Sequence, residues 1–289
     1  MTREIILHIG MPKAGSTFLQ QALRQNRGRL AAAGAAYPPG PDSHPGNAGN
    51  LAGLEAEGFD AIFAEAPRIV LSHEDLFALP GKARALARLA SDAGVPVRVV
   101  AFLRPFSAFC FGDVSQHLKQ HLDRYIASGQ AFDGRSVEEM AARRAATLDP
   151  AGVLLKWVRL FPAQTLVLAP HSAIPATMER LLGHPGLDWT VPRHMANPSL
   201  RLSDCEAIAA MIAAGHRPAA IRAALGEALH RTDAPDPART PERIARIEAL
   251  FAAHNQALLD IWGYDNRLPG PQSRPASAVS HNPASCTAV

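Results

Sequence analysis

The sequence predicts an α/β fold of three layers, with helices on both faces of a central, mostly parallel sheet. Three observations carry that prediction. Short runs rich in Ile, Val and Leu recur at residues 5–9, 68–71, 97–102 and 164–169, and each reads as a buried strand. Each run ends in a glycine turn or polar residues and leads into a segment with apolar residues at helical spacing, the alternation of βαβ units. Finally, 289 residues at 47% hydrophobic content suffice for one α/β core. That single domain is placed at residues 1–265, and the Pro-, Ser- and Ala-rich residues 266–289 read as a disordered tail.

The first element organises the rest. An apolar strand at residues 5–9 runs into Gly10-Met11-Pro12-Lys13-Ala14-Gly15, and a helix opens at Ser16-Thr17 with Phe18, Leu19, Ala22 and Leu23 on its apolar face. Ser16 or Thr17 is the expected helix cap. The amides of the first helical turn have no partner inside the helix and sit at the positive end of its dipole, so an anion there meets donors. Gly10 and Gly15 permit close backbone approach, and Lys13 adds a point charge. This is the chemistry of a phosphate cradle. A Walker A loop, GxxxxGK[ST], has its lysine directly after the second glycine; here Lys13 precedes Gly15 by two residues, so the loop is of another kind.

Pro12-Lys13-Ala14-Gly15-Ser16-Thr17 resembles the PKxG[ST]T loop with which sulfotransferases hold the 5'-phosphosulfate of 3'-phosphoadenosine 5'-phosphosulfate (PAPS). The resemblance spans most of residues 5–200, and this loop is its specific part. It implies a P-loop NTPase-like sulfotransferase fold, PAPS as sulfuryl donor, and no metal. Pro12, Lys13, Ala14, Gly15, Ser16 and Thr17 would hold the donor, with Lys13 also stabilising charge on the departing phosphate.

The first helix is expected to continue through residues 27–33 and stop near Gly34, followed by a long irregular Pro/Gly loop to Asn50. His44, Asn47 and Asn50 in that loop are similar in type to an Asn/His cluster of bacterial sulfotransferase-like chains. The second strand, residues 68–71, ends in Ser72-His73-Glu74-Asp75, polar groups at the carboxyl end where an open α/β sheet places its site. The same residues also suit a cap for a helix starting at Leu76. By the resemblance Glu74 would be the base that takes the acceptor's proton. His73 is the alternative, its ordinary pKa lying nearer neutrality.

A surface helix follows at residues 81–94. The next strand, residues 97–102, ends at Arg104 before Pro105. Sulfotransferases bind the PAPS 3'-phosphate with an arginine here and a serine eight residues on. Arg104 matches; the eighth residue is Gly112, so Ser115, one turn further along, or Ser107 would take the serine's place. Residues 107–144 read as largely helical. His117 and His121 are four apart on that stretch but lack the HExxH glutamate, so no metal site is expected. After the strand at 164–169 and a helix to Leu182, a basic loop carries Arg193, His194, Asn197 and Ser199, similar to the loop that closes over the nucleotide in the family. Helices are then expected at residues 204–214, 218–230 and 241–262, with Trp262 and Tyr264 as the last packing anchors.

A net charge of +3 without a Lys/Arg run argues against a nucleic-acid partner. Three scattered cysteines, Cys110, Cys205 and Cys286, give no disulfide framework. No segment reaches about 18 uninterrupted apolar residues; the expectation is a soluble, cytoplasmic enzyme acting on a small-molecule or glycan acceptor. Two alternatives remain at this point. A P-loop NTP-dependent kinase would use the Ser16-Thr17 pair for magnesium, and a non-catalytic nucleotide-binding relative would keep the cradle without the chemistry.

Overall fold

All seven residues of strand β1 (Glu4–Gly10) are buried, as expected of a strand covered on both faces. The computed structural model describes residues 2–40, 44–161, 166–267 and 279–281. From β1 the chain runs through α1 (Ser16–Gln25), α2 (Arg27–Ala32), the short β2 (Ala35–Ala36), α3 (Ala56–Ala61), β3 (Arg68–Ser72), α4 (Arg84–Asp92) and β4 (Val97–Leu103). Then come α5 (Phe106–Ser128), α6 (Val137–Thr147), α7 (Pro150–Leu160), β5 (Leu166–Pro170), α8 (Ile174–Leu182), α9 (Leu202–Ala213), α10 (Pro218–His230), α11 (Pro241–Leu250), α12 (Ala252–Trp262) and β6 (Val279–His281).

The chain divides into two units. The first holds residues 1–104, 149–196 and 256–289, and the second holds 105–148 and 197–255. The first unit is the α/β body, its sheet flanked by helices with strand order β2-β3-β1-β4-β5-β6. The first five strands are parallel, and β6 pairs antiparallel with β5 at the edge. β1 sits at its centre. The connection leaving β1 goes to one side of the sheet and that leaving β4 to the other, which opens a crevice between their carboxyl ends. At the opposite end of the strands Glu4 answers two arginines, Arg68 at 2.9 Å and Arg98 at 2.6 Å. The second unit is helical among its described residues, with Phe106 stacked on Phe251 at 4.5 Å.

Several local expectations change. The first helix breaks at Asn26, whose side chain donates to the carbonyls of Ala22 and Asp188 and accepts from the amide of Asp188. The local bond to Ala22 and the two tertiary bonds to Asp188 compete with helix continuation. The loop after Gly34 contributes β2, paired with β3. Instead of a helix from Leu76 there are two 3-10 turns, Glu74–Leu76 and Pro80–Ala83, and the regular helix waits until Arg84. The helix expected at 241–262 is interrupted at Phe251. Within residues 266–289 the structure contains β6, and Asn266 is buried, donating to the carbonyl of Arg104. Residues 268–278 and 282–289 of the expected tail, including Cys286, lie outside the described residues, as do 162–165 at the start of the strand expected at 164–169. Cys110 and Cys205 are buried free thiols. Among the described residues no helix is long and apolar enough to cross a membrane.

Candidate functional site

The cradle begins with an irregularity in β1. Opposite β4 the register slips between His8 and Gly10, a bulge of the kind that re-aims the chain beside active sites. Gly10 then turns at φ +106 with its backbone so close to Glu74 that a Cβ would lie 2.9 Å from the Glu74 carbonyl oxygen. The Met11 amide donates to Phe102 and the Ala14 amide to Met11, which closes the loop. Lys13 and Gly15 both adopt left-handed backbone, φ 62 and φ 88. Gly15 is the N-cap of α1, and a Cβ there would meet Ile174 Cδ1 at 2.7 Å.

Because the cap position is left-handed, it suits glycine, and neither Ser16 nor Thr17 caps the helix as expected. They occupy its first two positions instead. The consequence is chemical. The first-turn amides of α1 lack intrahelical partners, and Ser16 Oγ is buried with no hydrogen bond among the described residues. Orphaned donors around a left-handed loop that carries a lysine fit an anion.

The other wall of the crevice comes from β4 and β5. Arg104 Nη1 donates to the Lys13 carbonyl at 2.6 Å, so the arginine braces the cradle. Its own carbonyl is held by Asn266. His171, directly after β5, is driven down to about 4 by burial and then by the Arg104 charge, so it is neutral at physiological pH.

On the β3 side, parallel register sets His8 beside Ser72, and their side chains meet at 2.8 Å (Nδ1 to Oγ). Gln20, on the buried face of α1, gives its amide nitrogen to Ser72 Oγ at 3.1 Å and to Glu74 Oε2 at 3.2 Å. His44 Nε2 lies 3.5 Å from Glu74 Oε1, and the His44 and His73 rings stack at 4.6 Å. Burial pushes the Glu74 carboxyl up, but its own amide, Gln20, His44 and His73 outweigh this, and it sits below the usual carboxylate range. Burial likewise lowers His73, against the opposing pull of Glu74. At pH 7 Glu74 is ionised and His73 neutral, so each can accept a proton. Because His73 Nδ1 accepts the Asp75 amide, the ring proton sits on Nε2, and the nitrogen that can take a further proton is Nδ1, once that amide bond is released.

Asn47 pins the long loop here. Its side chain accepts from the Ser72 amide and donates to the carbonyls of Pro38 and Val70. Gly46 fits so tightly that a Cβ would lie 2.8 Å from the Ser72 carbonyl oxygen and 3.0 Å from Gln20 Nε2. Asn50, by contrast, is exposed and stands before a 3-10 turn.

The remaining expected residues are placed as follows. Pro12, Lys13, Ala14, Gly15, Ser16 and Thr17 form the cradle, with Glu74 and His73 at the neighbouring strand end. Arg193 is exposed on a 3-10 turn that packs against α1, in a segment whose Trp189 stacks on Phe18 at 6.0 Å. Ser115 belongs to the second unit; it is fully buried, and its Oγ accepts the Leu200 amide at 2.8 Å. Ser107 is also engaged, its amide and hydroxyl both donating to Glu248 Oε1. Sequence reasoning did not single out His8, Gln20, Tyr37 or His171. A histidine inside the apolar run IILHIG is the signal that could have found the first. Tyr37, buried with its hydroxyl donating to Pro45, holds the loop beside the cluster. Among the described residues no group of three or more His, Cys, Asp or Glu stands together as metal ligands.

Comparisons with protein-family models, curated proteins and solved structures returned no match to this chain.

Proposed function

We propose that the chain is a sulfotransferase that moves a sulfuryl group from PAPS to an acceptor hydroxyl or amine, a carbohydrate hydroxyl being the first expectation. One observation carries the reading: a lysine-bearing, left-handed loop caps α1 with glycine while its first residue, Gly10, abuts the backbone of a candidate base, Glu74. The loop that would hold the phosphate and the residue that would serve as base are thereby neighbours at the ends of adjacent strands. The orphaned Ser16 hydroxyl and the first-turn amides fit a phosphosulfate, and Lys13 and Arg104 supply the positive charge around it.

PAPS, when bound, supplies an activated sulfuryl group on a good leaving group. The protein's part is positional and electrostatic. The cradle amides and Ser16 would orient the phosphate, and Lys13 would stabilise the charge that builds on it as the sulfur–oxygen bond breaks. Arg104 would keep the Lys13 segment in place and face the 3'-phosphate. Glu74, held ionised and oriented by Gln20, would take the acceptor's proton as the new oxygen–sulfur bond forms; neutral His73, whose basic nitrogen is Nδ1, is the other proton acceptor within the cluster. The transferred sulfuryl carries less charge than a phosphoryl group, so lysine and amides can serve without a metal.

The test is transfer of labelled sulfuryl from PAPS to a panel of glycan, lipid and small-molecule hydroxyls. The parent should label at least one class, and Lys13→Ala should lower the rate about 10²- to 10³-fold, as for loss of one electrostatic donor. Lys13→Gly, which preserves the left-handed backbone, should lose as much. Near-parental turnover in both variants would sink the assignment.

A further inference from the structure

The second unit contains a cavity of about 300 Å³ that no part of the nucleotide reading uses. All of its lining comes from residues 113–147, on α5, the turn after it and α6. Four arginines line it, Arg124, Arg135, Arg143 and Arg144, against two aspartates, Asp113 and Asp133. Asp113 is committed to Arg144 through two bonds, 2.7 and 3.1 Å. Asp133 alone faces two guanidiniums, Arg124 at 3.2 Å and Arg135 at 3.3 Å. Glu139 approaches Arg135 from outside the lining, but its carboxylate closes the Ser136 capping box. The lining therefore carries an excess of two positive charges, four arginines against two aspartates.

The backbone around the cavity is unusual in two places. Helix α5 kinks at His121 (φ −118, ψ 16), one of the lining residues. The turn Ala131–Gly134 puts Phe132 and Asp133 in the left-handed region, φ 54 and φ 56, where non-glycine residues are uncommon. Phe132 is held there by burial against Tyr125, ring centroids 5.7 Å apart. This strained turn sets the Asp133 carboxylate between its two arginines. Strain of this type persists where the surroundings over-determine it, and it concentrates at ligand sites.

We infer that this cavity binds a small organic oxyanion, gripped by Arg124, Arg135 and Arg143, with its carbon body against Tyr125, Phe132 and Met140. Planar guanidinium forks match both carboxylate and phosphate oxygens. The volume equals about ten waters' share of liquid and lies at the small end of ligand pockets, which fits a molecule of monosaccharide size. An incoming anion would relieve the crowding of two guanidiniums on one aspartate.

The test is a calorimetric titration of the full chain with glucose 6-phosphate, gluconate and glucose. One or both anions should bind with a submillimolar Kd, and glucose at least tenfold more weakly; the stronger of the two anions tells whether phosphate or carboxylate is the natural group. Arg143→Glu, at an exposed position, should weaken the anion at least tenfold, and Arg124→Ala should act in the same direction, with melting curves confirming that both variants fold. Lys13→Gly should change the affinity less than twofold, which separates this site from the cradle. Equal binding of glucose and the anions, loss of binding in Lys13→Gly with retention in Arg143→Glu, or no binding at 10 mM would each overturn the inference.

Discussion

Acidification should destabilise this protein through His8, and the size of the effect follows from its surroundings. The imidazole is 1% exposed, and burial drives it from 6.5 down to about 4, against the pull of Glu74. The folded state thus binds fewer protons than the unfolded chain between those values. The stability that His8 contributes is fully present above pH 6.5, is lost as pH falls toward 4, and falls no further below that. Between pH 7 and pH 5 the loss from this one residue is about 2 kcal/mol. His171, also at about 4, adds a similar loss over the same window. The perturbation is His8→Asn, whose amide can reach the place of Nδ1 and keep a partner for Ser72 Oγ. Loss of the ring against Phe102, 5.5 Å away, costs the same at both pH values and cancels in the difference. Urea unfolding followed by tryptophan fluorescence at pH 7 and pH 5 gives the two drops in stability. The parent's drop should exceed the variant's by about 2 kcal/mol; drops that agree within about 0.5 kcal/mol, the scatter of independent sites, would refute the reasoning.

Other consequences are equally direct. Gly15→Ala forces a side chain onto φ 88 and against Ile174 Cδ1, and should cost about 1–2 kcal/mol. Ile174→Val deletes that Cδ1, so the double variant should recover part of the loss, and strict additivity in melting experiments would contradict the packing. Gln20→Met removes two hydrogen bonds from a fully buried position; it should cost about 1–3 kcal/mol and raise the Glu74 pKa, read as a shift of the acid limb of the rate profile to higher pH. In the parent that limb should lie below 4.5 if Glu74 takes the proton and below 6.5 if His73 does, since both groups are shifted down, and its rise in Gln20→Met marks Glu74 as the base. A limb above 6.5 would exclude both.

The sheet was legible because its strands are short apolar runs with polar ends, and period and punctuation mark those without any tertiary information. The left-handed loop of the candidate site was legible for the same reason: Gly10, Lys13, Gly15, Ser16 and Thr17 fall within eight residues of the chain. What eluded the sequence depends on partners distant along it. The break at Asn26 follows from bonds to Asp188, 162 residues away, and the Gln20 bridge needs Ser72 and Glu74, more than fifty residues on. Glycine rather than serine caps α1 because the loop arrives left-handed, a backbone fact that residue types alone leave open. Gly46 likewise looks like any loop glycine until Ser72 and Gln20 close around it.

The central claim is that the loop around Lys13 holds the phosphates of a 3'-phosphoadenosine nucleotide. The measurement is calorimetric titration with 3'-phosphoadenosine 5'-phosphate, with and without magnesium, and with Mg-ATP in parallel. We expect metal-independent binding at micromolar Kd or better, weakened about 10- to 100-fold in Lys13→Gly and in Arg104→Ala, as for loss of one charged hydrogen bond. Binding of Mg-ATP alone would contradict the account and place the chain with phosphoryl-transfer enzymes, and unchanged affinity in Lys13→Gly would show that the nucleotide sits elsewhere.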